Sequence, residues 1–332
     1  AIGKEGDLAQ DALVIQVEFE PRLAQAFHQL LAIIGRNLRR AGRDAPATTG
    51  ELQQREAGEG APVRWTASAG FLRLDDLFPL VRAGLAGTAL EARLPRQLAG
   101  DLRDITAEFA VRSGERTRYS VRFGVTHMAL ANATGEVAAT GLTGRLAADS
   151  EGGRLELASS DVTLTLAEWF RNPLPARSLQ GMLVWRRGPE GVRFLSDDIQ
   201  LKTAAIGISS RLELVFPPDG GSPVLDLTAR ASATEAPQVL HFLPLRHFPP
   251  QVGDWLERAV VAGRVPVAEG VFRGPLHAFP FDHGEGQFRI SMQLEDGTLD
   301  YADDWPRVEG LDAEVVFDGA SMSSTRNRAR VG

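Results

Sequence analysis

The sequence contains no cysteine. Disulfides, thiolate nucleophiles and cysteine zinc sites are therefore excluded, and the redox compartment is left open, the periplasm included. Lysine is almost missing as well, at Lys4 and Lys202, so positive charge rests on arginine, whose ionised fork pairs with carboxylates and phosphates. The net charge is −7 and the pI near 5.5. This is not the concentrated positive field of a nucleic-acid domain, and nucleic acid is excluded as a partner. No apolar run approaches the ~18 residues of a membrane span; the richest pieces, 30–34 and 239–245, are far shorter. The chain lacks an initiating Met and a signal-like start, and it stops after a strand-like segment. It reads as an internal section of a longer protein.

Catalytic signatures are also missing. The histidines at 28, 127, 241, 247, 277 and 283 never fall at the i, i+4 spacing of a zinc hydrolase helix. His241 and His247 flank an LPLR stretch and read as surface or packing residues, and Asp282–Glu285 reads as a polar turn. Ser209 lacks the second glycine of a nucleophile elbow and lies between strand-like segments. No glycine-rich phosphate loop occurs. Neighbouring residues on a strand point to opposite faces, so Asp197-Asp198 and Asp303-Asp304 read as solvated turns rather than shared carboxylate sites. The chain is read as a non-enzyme without cofactor, metal or catalytic residues. His283 converging with Asp303 and Asp304 on a metal would revive an enzymatic reading.

What is present is folded protein, 43% hydrophobic and 24% charged over 332 residues, enough for one large sheet or two ordinary domains. Residues 1–62 read as an N-terminal helix, with apolar residues at helical spacing from Leu23 to Leu38, followed by a flexible polar loop. Residues 63–100 read as a helical connection into a sheet, its helix at 74–86 having Asp75 and Asp76 at the positive end and Gly87 as cap. Residues 101–332 read as β. In Gln287–Leu294 the apolar Phe288, Ile290, Met292 and Leu294 alternate with polar neighbours, the period of a strand with one wet face. Turn sequences at 113–115, 151–153, 188–191 and 217–223 separate further alternating runs, and Asp296-Gly297 suits a tight hairpin. A loose echo, apolar–x–Gly, recurs at Leu142–Gly144, Leu179–Gly181 and Val308–Gly310. One helix interrupts the strands near 250–262. Val252, Trp255, Leu256, Ala259 and Val260 make its stripe, prolines stand at its entry and Gly263 follows, and it is expected to cap or plug an edge of the sheet.

The last quarter carries a resemblance. Trp255–Ala259 with Gly263, then Gly270–Gly274, Phe279-Pro280-Phe281, Gly286–Phe288, Gly297–Tyr301 and Trp305-Pro306, resembles the YhdP-like branch of the AsmA-like proteins, the TamB-related bridge-type lipid transport proteins of Gram-negative bacteria. The likeness is specific over about 178–320 and looser over 63–177, and no correspondence is read for 1–62. It implies a long, curved antiparallel sheet forming an open taco-like groove, in the periplasm, within a longer protein anchored in the inner membrane. It further implies conduction of phospholipid between the inner and outer membranes in support of the outer-membrane barrier. The implied partners are phospholipid acyl chains, flanking parts of the same chain and envelope proteins of the two membranes.

On this reading the groove is lined by Leu155, Leu157, Val162, Leu164, Leu166, Leu183, Trp185, Leu212, Leu214, Leu225, Leu227, Phe288, Ile290 and Met292. The list assumes the register, because a slip of one residue inverts a strand. A carboxylate at Leu164 or Ile290 is expected to block lipid while the sheet stays folded. The alternative is a scaffolding β-sandwich of an envelope assembly, with the same residues in a dry core.

Overall fold

The computed structural model describes residues 50–55, 62–87, 91, 94–111, 118–302 and 305–331. The helix expected before residue 49, the turn at 113–115 and the Asp303-Asp304 pair lie outside the described residues. Among the described residues the chain is mainly β, with fourteen antiparallel strands hydrogen-bonded in chain order and few short helices. Each strand pairs only with its chain neighbours, and the first and last strands do not pair with each other. The chain divides into two compact units, Ala1–Ser159 and Ser160–Gly332, and the boundary falls within a single strand.

The first unit contains β1 (Gly50–Arg55), β2 (Val63–Arg73), α1 (Leu74–Leu85), β3 (Gln97–Val111), β4 (Arg118–Ala131), β5 (Val137–Asp149) and the start of β6 (Gly152–Leu166). Here β1 and β2 occupy stretches read from sequence as flexible loop and helical connection. Thr66 and Ser68 alternate with Trp65, Ala67 and Ala69, and pairing with β3 makes a strand of them. Opposed residues of an antiparallel pair share a face. One face therefore carries Trp65, Phe109 and Tyr119 in a row, followed by Ala67, Ala107, Val121 and Ala148. Helix α1 has Asp75 and Asp76 in its first turn, where the N-terminal end favours negative charge, and Gly87 with φ 76° just beyond its end. Asp75 also accepts the Gly100 N–H at 3.0 Å.

The second unit continues β6 and adds β7 (Leu174–Gly188), β8 (Gly191–Lys202), β9 (Ile206–Phe216), β10 (Val224–Ala233), β11 (Val260–Pro275), β12 (Gln287–Leu299), β13 (Val308–Asp318) and β14 (Ser321–Val331). Between β10 and β11 the chain detours through α2 (Ala236–Val239), two 3-10 turns (Leu240–Phe242 and Leu245–His247) and α3 (Pro250–Ala259).

Asp296-Gly297 does not turn a hairpin. Strand β12 runs through it to Leu299, and its register against β13 shifts between Leu294 and Gly297. Asp296 takes φ 51° and its N–H donates to Asp312 at 3.1 Å. The positive φ that a hairpin would use serves a bulge instead. The apolar–x–Gly echo has the same cause. Gly181 and Gly310 stand at register shifts in β7 and β13, both with positive φ, and Gly144 pairs with Val125 where the β4–β5 register shifts. A Cβ on Gly181 would collide with the Asp198 carbonyl oxygen, so at this position the close approach requires glycine.

Candidate functional site

The site is a face rather than a cleft. In the second unit, residue pairing lines up Trp185, Phe194, Leu214 and Leu225 across β7–β10. The next row is Ser196, Leu212, Leu227, Phe272 and Phe288 across β8–β12. Beyond it lie Ser210, Ala229, Gly270, Ile290 and Phe317, then Ile208, Ala231, Ala268, Met292 and Val315. Nearly every position on this face is apolar. Ser196 is an exception, with a buried Oγ that has no hydrogen-bond partner.

The other face is charged and paired. Arg193 meets Glu213 at 3.2 Å, Arg273 meets Asp226 at 3.2 Å, Arg264 meets Glu295 at 3.3 Å and Arg289 meets Asp318 at 2.6 Å; Arg230 pairs with Glu269. These pairs are solvent-exposed, so each contributes at most about 1 kcal/mol. They mark which side is wet. Asp197 pairs with Arg211 and Asp198 accepts from Gln200, which accounts for that carboxylate pair without a shared site.

The pairing registers place eight of the predicted lining residues on one face of the second unit. Trp185, Leu212, Leu214, Leu225, Leu227, Phe288, Ile290 and Met292 share the apolar face, by the pairing above. Leu183 lies within a register shift two residues before Trp185. Val162, fully buried, and the partly buried Leu164 and Leu166 belong to β6 in the second unit, whereas Leu155 and Leu157 fall in the first. The predicted lining set omits Phe194, Phe216, Phe272 and Phe317, although each alternates onto the apolar face within its own strand. Phe194 stacks on Trp185 at 6.2 Å and meets Phe216 edge-on at 5.7 Å.

The face is unevenly covered. Over β10–β13 the crossover packs onto it: Leu240, Leu243, Leu245, Phe248 and Leu256 form one buried cluster with Phe272, Phe279, Phe281, Phe288 and Phe317. Leu225, Leu227, Ile290 and Met292 pack against this cluster. A second cluster joins Ala236 to Ile206, Ala233, Val265, Leu294 and Ala313. The helix expected at a sheet edge thus lies on the face, because its apolar stripe and the leucines before it need a dry partner that an edge does not offer. Trp185, Phe194, Leu212 and Leu214 stand outside both clusters.

His247 belongs to this core. Its ring lies 4.7 Å from Trp169 and 5.1 Å from Phe279, and its Nε2 is buried without a partner. Burial lowers its pKa, against a smaller opposing effect from a hydrogen bond to the Glu168 backbone. At the rim, Arg171 in the β6–β7 connection donates to Asp254 at 2.7 Å and Glu257 at 2.9 Å on α3. The Asp254 hydrogen bond raises the Arg171 pKa further.

Among the described residues the fold is a mainly β, antiparallel, unclosed ladder, which in the second unit carries one apolar and one ion-paired face. No helix among the described residues is long and apolar enough to cross a membrane. The chain belongs to the YhdP protein family, whose family model matches residues 11–332. The match extends into the N-terminal stretch, where the sequence by itself offers no correspondence. Over 157 residues the chain is 27% identical to the intermembrane phospholipid transporter YhdP of Escherichia coli (strain K12), covering 47% of this chain and 12% of that relative. No solved structure matches.

Proposed function

We propose that the apolar face binds phospholipid acyl chains and forms one section of a periplasmic conduit between the inner and outer membranes, within a longer protein anchored in the inner membrane. In this reading the Leu155–Met292 lining set is the groove wall, headgroups stay at its wetter margin, and the conduit supports the outer-membrane barrier. The observation that carries it is the uncovered row Trp185, Phe194 and Leu214, apolar and only partly buried, backed by an ion-paired opposite face. An apolar strip of this kind is a liability on a protein surface unless something apolar occupies it. At about 0.8 kcal/mol per methylene, one acyl chain gains on the order of 10 kcal/mol by lying there. The relative's name, intermembrane phospholipid transporter, supports the same assignment. Flanking parts of the chain and envelope proteins of both membranes are its proposed protein partners.

The scaffolding reading draws on one observation of its own, the dry aromatic core over β10–β13. Native mass spectrometry of the gently purified protein separates the two. Bound phospholipid that is lost in Leu214→Asp, with the fold retained, supports the conduit. An empty wild-type protein that binds no added phospholipid overturns it in favour of the scaffold.

A further inference from the structure

Strands β10 and β11 are antiparallel neighbours, and a two-residue hairpin suffices to join such a pair. The chain instead leaves the sheet after Ala233 and returns at Val260, laying the intervening crossover on the apolar face. Leu243, Leu245, Phe248 and Leu256 there present to β10–β13 the same chemistry an acyl chain would. The crossover is tied down from a distant part of the ladder. Arg171 and Phe170 belong to the β6–β7 connection, with β7, β8 and β9 between them and β10 in strand order. Besides the two Arg171 ion pairs, the Arg246 Nε–H donates to the Phe170 carbonyl at 3.2 Å. Gly253 leaves room for this fastening, since a Cβ there would oblige the Arg171 guanidinium to shift. The Arg171 part of the fastening is polar and wet, with Asp254 70% and Glu257 40% exposed, whereas Trp169 of the same connection meets His247 in the dry core beneath. A weak polar catch over a seat that fits an apolar ligand is the construction of something that opens.

We propose that the Thr234–Ala259 crossover is a displaceable lid latched by Arg171, and that phospholipid passing from β9 towards β13 takes the lid's place on the face. This regulation rests on reading the face as lipid-binding. In wild-type protein the lid excludes lipid from β10–β13 most of the time and leaves the Leu214 row accessible. Loss of the Arg171 pairs shifts the lid towards its open position by on the order of fivefold, as suits two partly screened charge-assisted hydrogen bonds.

The test uses photo-methionine, which carries a diazirine, at Met292 beneath the lid and at position 214 through Leu214→Met. Protein is irradiated with vesicles of phosphatidylethanolamine and phosphatidylglycerol, and labelled sites are located by mass spectrometry. Amide exchange over 236–259 is followed in parallel. The expected result is lipid labelling at 214 in both the parent and Arg171→Glu. In Arg171→Glu, labelling at 292 rises about fivefold together with faster exchange of the crossover, and adding Asp254→Arg to Arg171→Glu reverses both changes. Equal labelling at 292 in parent and variant overturns the lid, as does unchanged exchange in Arg171→Glu. A released crossover with 292 still unlabelled overturns it too. Absence of label at 214 in every protein is a different failure, which removes the lipid-binding reading and the lid with it.

Discussion

Phe272→Ala tests whether the apolar face is closed at one end and open at the other. Phe272 is 7% exposed, lies in the row between Leu227 and Phe288, and contacts four rings. Those rings are Trp169 at 5.8 Å, Phe279 at 5.5 Å, Phe281 at 5.1 Å and Phe288 at 6.3 Å. Removing a ring from such a site loses its transfer free energy and leaves a cavity, together about 3–5 kcal/mol. For a unit of this size that lowers Tm by roughly 10 °C. Leu214→Ala, on the same face two strands away in the order, removes a partly buried side chain outside both clusters, and about 1 kcal/mol and roughly 3 °C are expected. The assay is thermal unfolding followed by near-ultraviolet circular dichroism, with Trp169 among the reporters of the covered end. Equal losses in the two variants would refute the reasoning, since they would mean that Phe272 and Leu214 sit in equally dry surroundings.

Acid should loosen the crossover. Burial holds the folded pKa of His247 below its unfolded value of ~6.5, so its contribution to stability is fully present above that value and is lost as pH falls through it towards the folded pKa. Protection of the 236–259 amides, taken relative to their intrinsic exchange rates at each pH, should therefore fall from pH 7 to pH 5, and His247→Phe should flatten that dependence. Gly181→Ala should cost more than about 1 kcal/mol in urea unfolding, because φ 140° is strained for any side chain and the new Cβ meets the Asp198 carbonyl. A neutral result would place the bulge elsewhere.

Much of the sheet was legible because side-chain alternation is a local property. Leu212 and Leu214 announced their own face, and pairing with Leu227 and Leu225 keeps them on it. Positive-φ sequences were legible as places where the backbone departs from a regular strand, but not as which departure. Asp296-Gly297 suits a hairpin and a bulge equally, and only the partner strand decides. The crossover shows the larger limit. The stripe of Val252, Trp255, Leu256 and Ala259 declares a helix with one dry side. Where that side lands depends on Phe288, Phe272 and Phe317, which periodicity assigns to the sheet alone. Ile290, from sequence a site where a carboxylate blocks lipid and spares the fold, packs against the crossover's core. A charge there should disturb that core, and Leu214 is the cleaner position for the experiment. His247 and Arg171 gave no local signal, since their neighbours come from distant strands.

The pairing of every strand with its immediate predecessor has a consequence for how such a chain acquires its structure. Each new strand needs only the one already laid down as its template, so no segment must wait for a distant partner and no connection has to thread past another. The sheet can be zipped from one end as the polypeptide emerges, whether from a ribosome or from a translocation channel that delivers it unfolded. The crossover departs from this order: its latch residue, Arg171, is delivered with the β6–β7 connection, well before the helix it holds.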